Sequence, residues 1–426
     1  MERSSAMDTG VRKDAGTGFS PKSSSPEIRF KTEDAVINTE RSPAAYIEVR
    51  EDASTGFLPK LPLKTDFPFG IYIHWPYCLS KCPYCDFFSQ VKKNVEQEEI
   101  IKGYLDDLDF YAELTKERTV TSIFFGGGTP SLIKPQLIEK IISHIAQKWP
   151  LADNAEISLE ANPNSDRPDL FSDLHNAGIN RLSLGIQALN DNDLKILGRT
   201  HNLKQAYQAM EEVLKRFDNH SIDLIYARPA QNLSQWQQEI KQAASFGFKH
   251  LSMYQLTIEE GTVFYKKGLP PAEENLASEM YNFTNRYLSE HGYPQYEISN
   301  YAQPGFESRH NQLYWNGSDY LGIGKSAHGR LKIGSKHYAL THRRIMEELT
   351  PEERAEELLL MGLRLNRGIN KKDFEKQCGL NFDNFINADK LNMLIAEKML
   401  INTNVTIKAT DSGRLILNRL IEELCS

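Results

Sequence analysis

Between Gly70 and Leu256, short runs rich in β-branched and aromatic residues alternate with longer amphipathic stretches, and that alternation limits the folds open to the chain. The six runs are GIYIHW (Gly70 to Trp75), SIFFGG (Ser122 to Gly127), EISLEAN (Glu156 to Asn162), RLSLGIQ (Arg181 to Gln187), SIDLIYA (Ser221 to Ala227) and HLSMYQL (His250 to Leu256). Stretches such as EEIIKGYLDDLDFYAEL, KPQLIEKIISHIAQKW and LKQAYQAMEEVLKRF separate them, with apolar residues at helical spacing. A repeated strand-helix unit predicts an α/β chain with a parallel sheet, open or curled into a partial barrel. Polar residues and glycines gather where each strand should end, at Cys78 to Cys85, Gly126 to Thr129, Glu160, Gln187 and Asp223. In a parallel barrel those ends share one face, the face that binds ligands.

The flanks differ in character. Residues 1–66 are rich in Ser, Thr, Gly, Pro and charges of both signs and show neither a helical nor a strand period, which predicts a disordered extension. Within it DAGTGFSPK (Asp14 to Lys22) recurs as DASTGFLPK (Asp52 to Lys60), a duplication too short to build a core. Asp8, Asp14, Glu27, Glu33, Asp34, Glu40 and Glu48 are out of keeping with a mitochondrial transit peptide, and no secretory apolar segment is present, so the expected compartment is the cytoplasm. From Pro351 three helical stretches precede a hairpin over LINTNVTIKATDSGRLILN and a last short helix, the outline of a winged-helix-like α+β domain.

Composition excludes several classes. Hydrophobic residues are 40% and charged residues 25% of the 426, a globular balance, and no apolar run is long enough to cross a bilayer, so an integral membrane protein is not expected. A net charge of -7 gives no basic field for phosphate backbones, and the C-terminal domain lacks a basic cluster, so nucleic acid is not an expected partner. Five cysteines in such a chain make no disulfide framework and point to a reducing compartment.

Three of the five are crowded into CLSKCPYC, at Cys78, Cys82 and Cys85. Pro76 and Pro83 disfavour a continuous helix, so the thiols should converge from a loop. A soft site of that kind suits an iron-sulfur cubane or zinc. Zinc needs a fourth ligand, and His74 is the local candidate; a four-iron cluster on three thiolates leaves one iron open. CPYC alone also fits a dithiol redox pair, with Cys82 as nucleophile and Cys85 as resolver. That motif belongs at the start of a helix in a much shorter chain.

CLSKCPYC resembles the CxxxCxxC signature of the radical S-adenosylmethionine (SAM) superfamily. FFGGGTPS, SLEANP, LSLGIQ, LGRTH, DLIY and SMYQLTIEEGT follow in the order of its coproporphyrinogen dehydrogenase-like branch, and the resemblance runs from Phe69 to about Ser426. It implies a partial (β/α)6 barrel in which Cys78, Cys82 and Cys85 hold a [4Fe-4S] cluster whose open iron chelates SAM. It further implies SAM contacts from Tyr72, Tyr84, Gly126, Gly127, Gly128, Thr129 and Glu160, and from Gln187, Arg199 and Asp223 at positions that in the dehydrogenase hold a second SAM. The glycines would let the backbone approach the methionine amine, where a Cβ would push the cofactor away.

Two kinds of protein share that branch. The dehydrogenase carries a fourth cysteine two residues beyond the third, where this chain has Phe87. RHNQLYW (Arg309 to Trp315), GIGKSAHG (Gly322 to Gly329) and GLRLNRGI (Gly362 to Ile369) instead resemble the HemW haem-chaperone family. That resemblance implies haem contacts from His310, Asn311, Tyr314 and Trp315, with His328 as another candidate ligand. It implies haem, acceptor haemoproteins such as respiratory ones, and an electron donor for the cluster as partners, with transient contact to membrane-bound acceptors. The parts then read as an extension over 1–66, a radical SAM core over 67–300, a connecting region with the HNxxYW motif over 301–350, and the winged-helix-like domain over 351–426. Oxygen-independent oxidative decarboxylation of coproporphyrinogen III is the alternative activity. The chain departs from the family at Lys325 and Ser326, and in DLIYARPAQN, where Ala227 and Ala230 take glycine places and Arg228 an apolar one.

Overall fold

The computed structural model describes residues 46–48, 67–163, 167, 169–341 and 344–425. Six strands run parallel in chain order, each beside its predecessor: β1 (Phe69–Trp75), β2 (Val120–Gly127), β3 (Leu151–Ala161), β4 (Arg181–Gln187), β5 (Asn219–Tyr226) and β6 (His250–Gln255). Crossovers include α1 (Gln97–Thr115), α2 (Pro135–Lys148), α3 (Leu170–Asn176), α4 (Leu203–Arg216) and α5 (Leu233–Ser245). Alternate strand residues such as Ile71, Ile73, Ile123, Phe125, Leu182, Leu184, Ile222 and Leu224 are fully buried in the main apolar core. Because the other face closes on the barrel interior, the strands are apolar runs broken by inward polar residues rather than a clean alternation with solvent. Helix entry is set locally: Asn202 and Asn232 close capping boxes with Gln205 and Gln235, satisfying amides that α4 and α5 would otherwise leave bare.

After α6 (Glu274–Glu290), two short strands, β7 (Gln295–Glu297) and β8 (Asn300–Ala302), extend the sheet beyond β6, with β8 antiparallel to it. The helix α7 (Arg309–Trp315) follows. At the other edge β9 (Asp319–Ile323) lies parallel to β1 and opens an antiparallel meander of β10 (Gly329–Ile333), β11 (Lys336–Leu340) and β12 (Ile345–Leu349). The stretch expected to connect the domains and carry the HNxxYW motif therefore also supplies four strands to the main sheet. The buried pair of Arg118 and Asp319, 2.7 Å apart, fastens β9 to the loop after α1.

Most of 1–66, including both copies of the duplicated segment, lies outside the described residues; Tyr46–Glu48 pairs antiparallel with β12. The C-terminal domain has its own apolar core around Leu359, Phe374, Phe382, Ile407 and Leu420. Thr350 and Pro351 start its first helix, α8 (Pro351–Gly362), with a capping box and proline at the first turn. Then come α9 (Lys371–Cys378), α10 (Ala388–Ala396), α11 (Leu417–Cys425) and a three-stranded antiparallel sheet. The expected hairpin is shorter than its sequence suggests: it pairs Leu400–Asn402 with Thr406–Ala409 and then stops. Thr410 accepts the Gly413 amide at 3.0 Å and turns DSGRL into a helix, so capping outweighs the β-branched pattern there.

Candidate functional site

A cavity of about 320 Å³ opens at the C-terminal ends of the six parallel strands. Every strand contributes to it, through the cysteine loop after β1, Gly127 to Thr129 after β2, Glu160 and Asn162, Gln187, Asp223 and Ile225, and Tyr254 and Gln255.

The cysteine loop is a loop, as its prolines require, and it is pinned at both ends. Tyr77–Cys78 pairs with Gln90–Val91, and the Lys92 amide donates to the Cys78 carbonyl at 3.2 Å. At the tip the Cys85 amide closes a turn onto Cys82 O at 3.1 Å, and Pro83 O accepts the Phe264 amide at 2.9 Å. All three thiols line the cavity. Thr129 Oγ1 donates to Cys78 Sγ and Arg199 Nη1 to Cys82 Sγ, each at 3.5 Å, so two of the sulfurs already face hydrogen-bond donors. Among the described residues no three His, Cys, Asp or Glu side chains are placed to hold one metal ion. His74 is spent elsewhere: Tyr72 Oη donates to its Nδ1 at 2.9 Å, and its Nε2 meets Phe88 O at 3.1 Å. The dithiol reading also loses ground, because burial pushes the Cys85 thiol up to about 11, away from the acidic thiols of redox pairs.

The glycine run has a packing reason of its own. A Cβ on Gly128 would sit 2.8 Å from Tyr77 O and 3.0 Å from Cys78 Sγ, and one on Gly127, at φ 110, would sit 2.6 Å from the His74 ring. Glycine there lets β2 pass directly under the cysteine loop, so it fixes the thiols before any ligand is considered. Gly127 and Gly128 line the cavity with Thr129, whereas Gly126 packs under Tyr72 and Phe124.

Two carboxylates face the same cavity. Burial, and then the nearby Asp223, push Glu160 up to about 8, against the opposing pull of the Gly127 amide at 3.3 Å and of Arg181. Burial likewise raises Asp223, although the hydroxyls of Ser252, Ser183 and Ser221 oppose it. A buried acidic pair of this kind favours a cationic ligand. Gln187 is held at φ 72 with its Oε1 buried and unpartnered, an acceptor aimed at something other than protein. SAM, with a sulfonium and an ammonium, matches that donor and charge demand, and the residues present fit both it and a three-thiolate cluster. Tyr84 and Arg199 line the cavity with the expected set, but Tyr72 does not; it supports His74 instead. Asn162, which donates to Thr129 Oγ1 at 3.3 Å and accepts from Arg199, joins the lining unannounced, as does Tyr254. SLEANP and SMYQL carried those two residues, but nothing in their spacing marked them.

The HNxxYW motif lies at the opposite end of the barrel. It forms α7, which plugs the side where the strands begin: a Cβ on Gly70 would meet Leu313 and His310, and Ser122 Oγ lies 2.8 Å from His310 Nδ1. The other ring nitrogen of His310 meets Tyr314 Oη at 2.8 Å, Phe124 stacks on the ring, and burial lowers its pKa to about 3. His310 is therefore neutral, enclosed and fully hydrogen-bonded, and in this arrangement it is not presented to a ligand. Glu156 holds the start of the helix by accepting the Arg309 and His310 amides at 3.0 and 3.2 Å, and the Asn311 amide caps on Ser308 Oγ. Trp315 lines a cavity of about 400 Å³ shared with Leu358, Arg367, Ile369 and Phe374, and its Nε1 has no partner. His328 is exposed and belongs to the other end, beyond β9 and close to His74.

The departures in DLIYARPAQN form a buried latch. Arg228 pairs with Glu239 at 2.5 Å and Asp193 at 2.7 Å and donates to Ile225 O, while Ala227 and Ala230 adopt the positive φ, 58 and 62, at which glycine is easier.

The model of the radical SAM superfamily matches residues 72–243, and that of the HemN C-terminal domain matches 349–416. A haem chaperone HemW of Buchnera aphidicola subsp. Schizaphis graminum is 36% identical over 372 residues, 83% of this chain and 98% of that protein. The HemW of Lactococcus lactis subsp. lactis is 33% identical over 84% of this chain and 97% of its own length. A mitochondrial radical SAM domain-containing protein 1 of Bos taurus is 33% identical over 84% and 87%. Among solved structures, coproporphyrinogen III oxidase (HemN) from Escherichia coli superposes with a TM-score of 0.71 at 20% identity, covering 84% of this chain and 90% of that one, a likeness of fold. Carrying the three-thiol loop, a radical SAM barrel and a HemN-type C-terminal domain at that level of identity along most of its length, the chain belongs to the HemW family of the radical SAM superfamily.

Proposed function

We propose that the chain is a haem chaperone that binds haem, SAM and a [4Fe-4S] cluster and hands haem to acceptor haemoproteins in the cytoplasm, including acceptors at a membrane surface. The observation that carries the reading is the cavity in which three thiols, a buried carboxylate pair and the unpartnered Gln187 Oε1 face one space, in a chain similar to named haem chaperones. Cys78, Cys82 and Cys85 would hold the cluster, which supplies an open iron and one-electron chemistry when bound and is served by an electron donor. Glu160 and Asp223 would balance the positive charge of SAM, Gln187 would accept from it, and Arg199 and Thr129 would donate to the sulfurs. Phe87, 60% exposed at the rim, stands where the dehydrogenase has its additional cysteine and offers an apolar surface instead.

For haem, the motif contributes Trp315, which lines a cavity with apolar side chains and Arg367. His310 and Tyr314 hold the helix that presents it. No helix among the described residues is long and apolar enough to cross a membrane.

The test is to reconstitute the cluster anaerobically in the full chain and offer haem in one arm, and coproporphyrinogen III with SAM and reductant in another. A Soret shift in the first arm without protoporphyrinogen in the second is expected; protoporphyrinogen formation would overturn the chaperone reading. Trp315→Ala should weaken the Soret-monitored binding more than His310→Ala, and the reverse order would return the ligand role to His310.

A further inference from the structure

A line of buried polar groups runs down the barrel from the cofactor cavity to the motif helix. Asp223 lines the cavity and accepts from Ser183 Oγ at 3.0 Å and from Ser221 and Ser252. Ser221 Oγ lies 2.7 Å from His250 Nδ1, and His250 Nε2 lies 2.9 Å from Tyr296 Oη. Tyr296 Oη in turn accepts the backbone amide of Ser308, at 3.3 Å, the residue that caps α7.

The direction of every proton in this line follows from its lower end. A backbone amide can only donate, so Tyr296 Oη accepts from Ser308 and has its own proton left for His250 Nε2. Burial holds His250 well below the ordinary imidazole range, so the ring is neutral and carries one N–H. That N–H is then on Nδ1 and donates to Ser221, whose hydroxyl proton passes to Asp223 directly or by way of Ser252 Oγ at 3.5 Å. All the donors point towards the carboxylate in the cavity.

We infer that His250 and Tyr296 are positioning residues that couple the cofactor cavity to the motif helix, so that a ligand donating hydroxyls to Asp223 loosens the hold on Ser308 at the far end. A carboxylate that gains donors accepts more weakly from each, and hydrogen bonds in series polarise one another, so the weakening passes from Ser221 through His250 to Tyr296. The inference gives the proposed chaperone its route between SAM and haem and rests on that reading for its purpose. The chain of bonds itself belongs to the protein alone.

The test uses the reconstituted full chain with nitrogen-15-labelled histidine and amide hydrogen exchange. The wild type should show His250 as the Nδ1–H tautomer. In Asp223→Asn the new amide can donate to Ser221 and reverse the line, so the ring should move towards Nε2–H and Ser308 should exchange faster. SAM should speed exchange at Ser308 roughly 5-fold in the wild type, the lower end of measured couplings between sites. Tyr296→Phe should abolish that response, with Ser221→Ala as the second variant if the first fails to fold. An Nε2–H tautomer in the wild type, or Ser308 exchange indifferent to Asp223→Asn, would overturn the relay. Failure of the wild type to bind SAM or haem would instead overturn the chaperone reading, while the tautomer and the Asp223→Asn exchange still decide the relay.

Discussion

Glu160 should make SAM binding strongly dependent on pH, with a sign set by its surroundings. Its carboxyl is pushed up to about 8, chiefly by burial and then by Asp223, so at neutral pH it is mostly protonated before a cation arrives. Binding the sulfonium requires the ionised form, so the proton must leave first. At pH 7, one unit below that value, the requirement weakens apparent affinity about 10-fold, or about 1.4 kcal/mol; at pH 6 it is about 100-fold. Affinity should therefore climb from pH 6 to about 8 and then level off, with a proton released to the buffer on binding. The same shift acts on folding in the opposite sense. A carboxyl raised above its unfolded value near 4.5 contributes its stability at low pH and loses it as pH rises from there to about 8. Isothermal titration in buffers of different ionisation enthalpy measures both the affinity and the released proton. The amine of SAM titrates in the same region, so the diagnostic quantity is the difference from Glu160→Gln, which is neutral throughout and retains only the amine's contribution. Equal slopes for wild type and Glu160→Gln would refute the reasoning.

Three further outcomes are expected. Arg228→Leu, which restores an apolar residue, should cost about 3–5 kcal/mol in urea unfolding, because Glu239 and Asp193 lose the cation that compensates their burial; a neutral result would mean that the latch is not closed in solution. Ala230→Gly, at an exposed position with φ 62, should raise stability by about 1 kcal/mol by the same measure, and no gain would contradict that backbone conformation. Alanine at Cys78, Cys82 or Cys85 should each remove the iron-sulfur absorption and acid-labile sulfide after reconstitution while leaving far-ultraviolet circular dichroism unchanged, whereas alanine at the buried Cys378 should leave the cluster intact.

The sequence by itself determined the order of the sheet and the face on which a ligand sits. Strand-helix alternation forces parallel pairing, parallel pairing puts all strand ends on one side, and Cys78, Glu160, Gln187 and Asp223 each stand at such an end. That argument needs only local periodicity and the length of a crossover. The tertiary structure decided what each of those residues is free to do. Tyr72 and His74 carry groups suited to a ligand, yet each spends them on the other and on Phe88. His310 reads as a candidate haem ligand beside two aromatics, yet it is sealed at the opposite end of the barrel from the thiols, while Trp315 reaches a cavity. The relay through Ser221, His250 and Tyr296 joins residues on strands whose spacing shows no motif. Hydrogen-bond partners far apart in the chain are set by how the barrel curls, and so which buried polar groups are satisfied and which remain for a ligand is a property of the packed molecule.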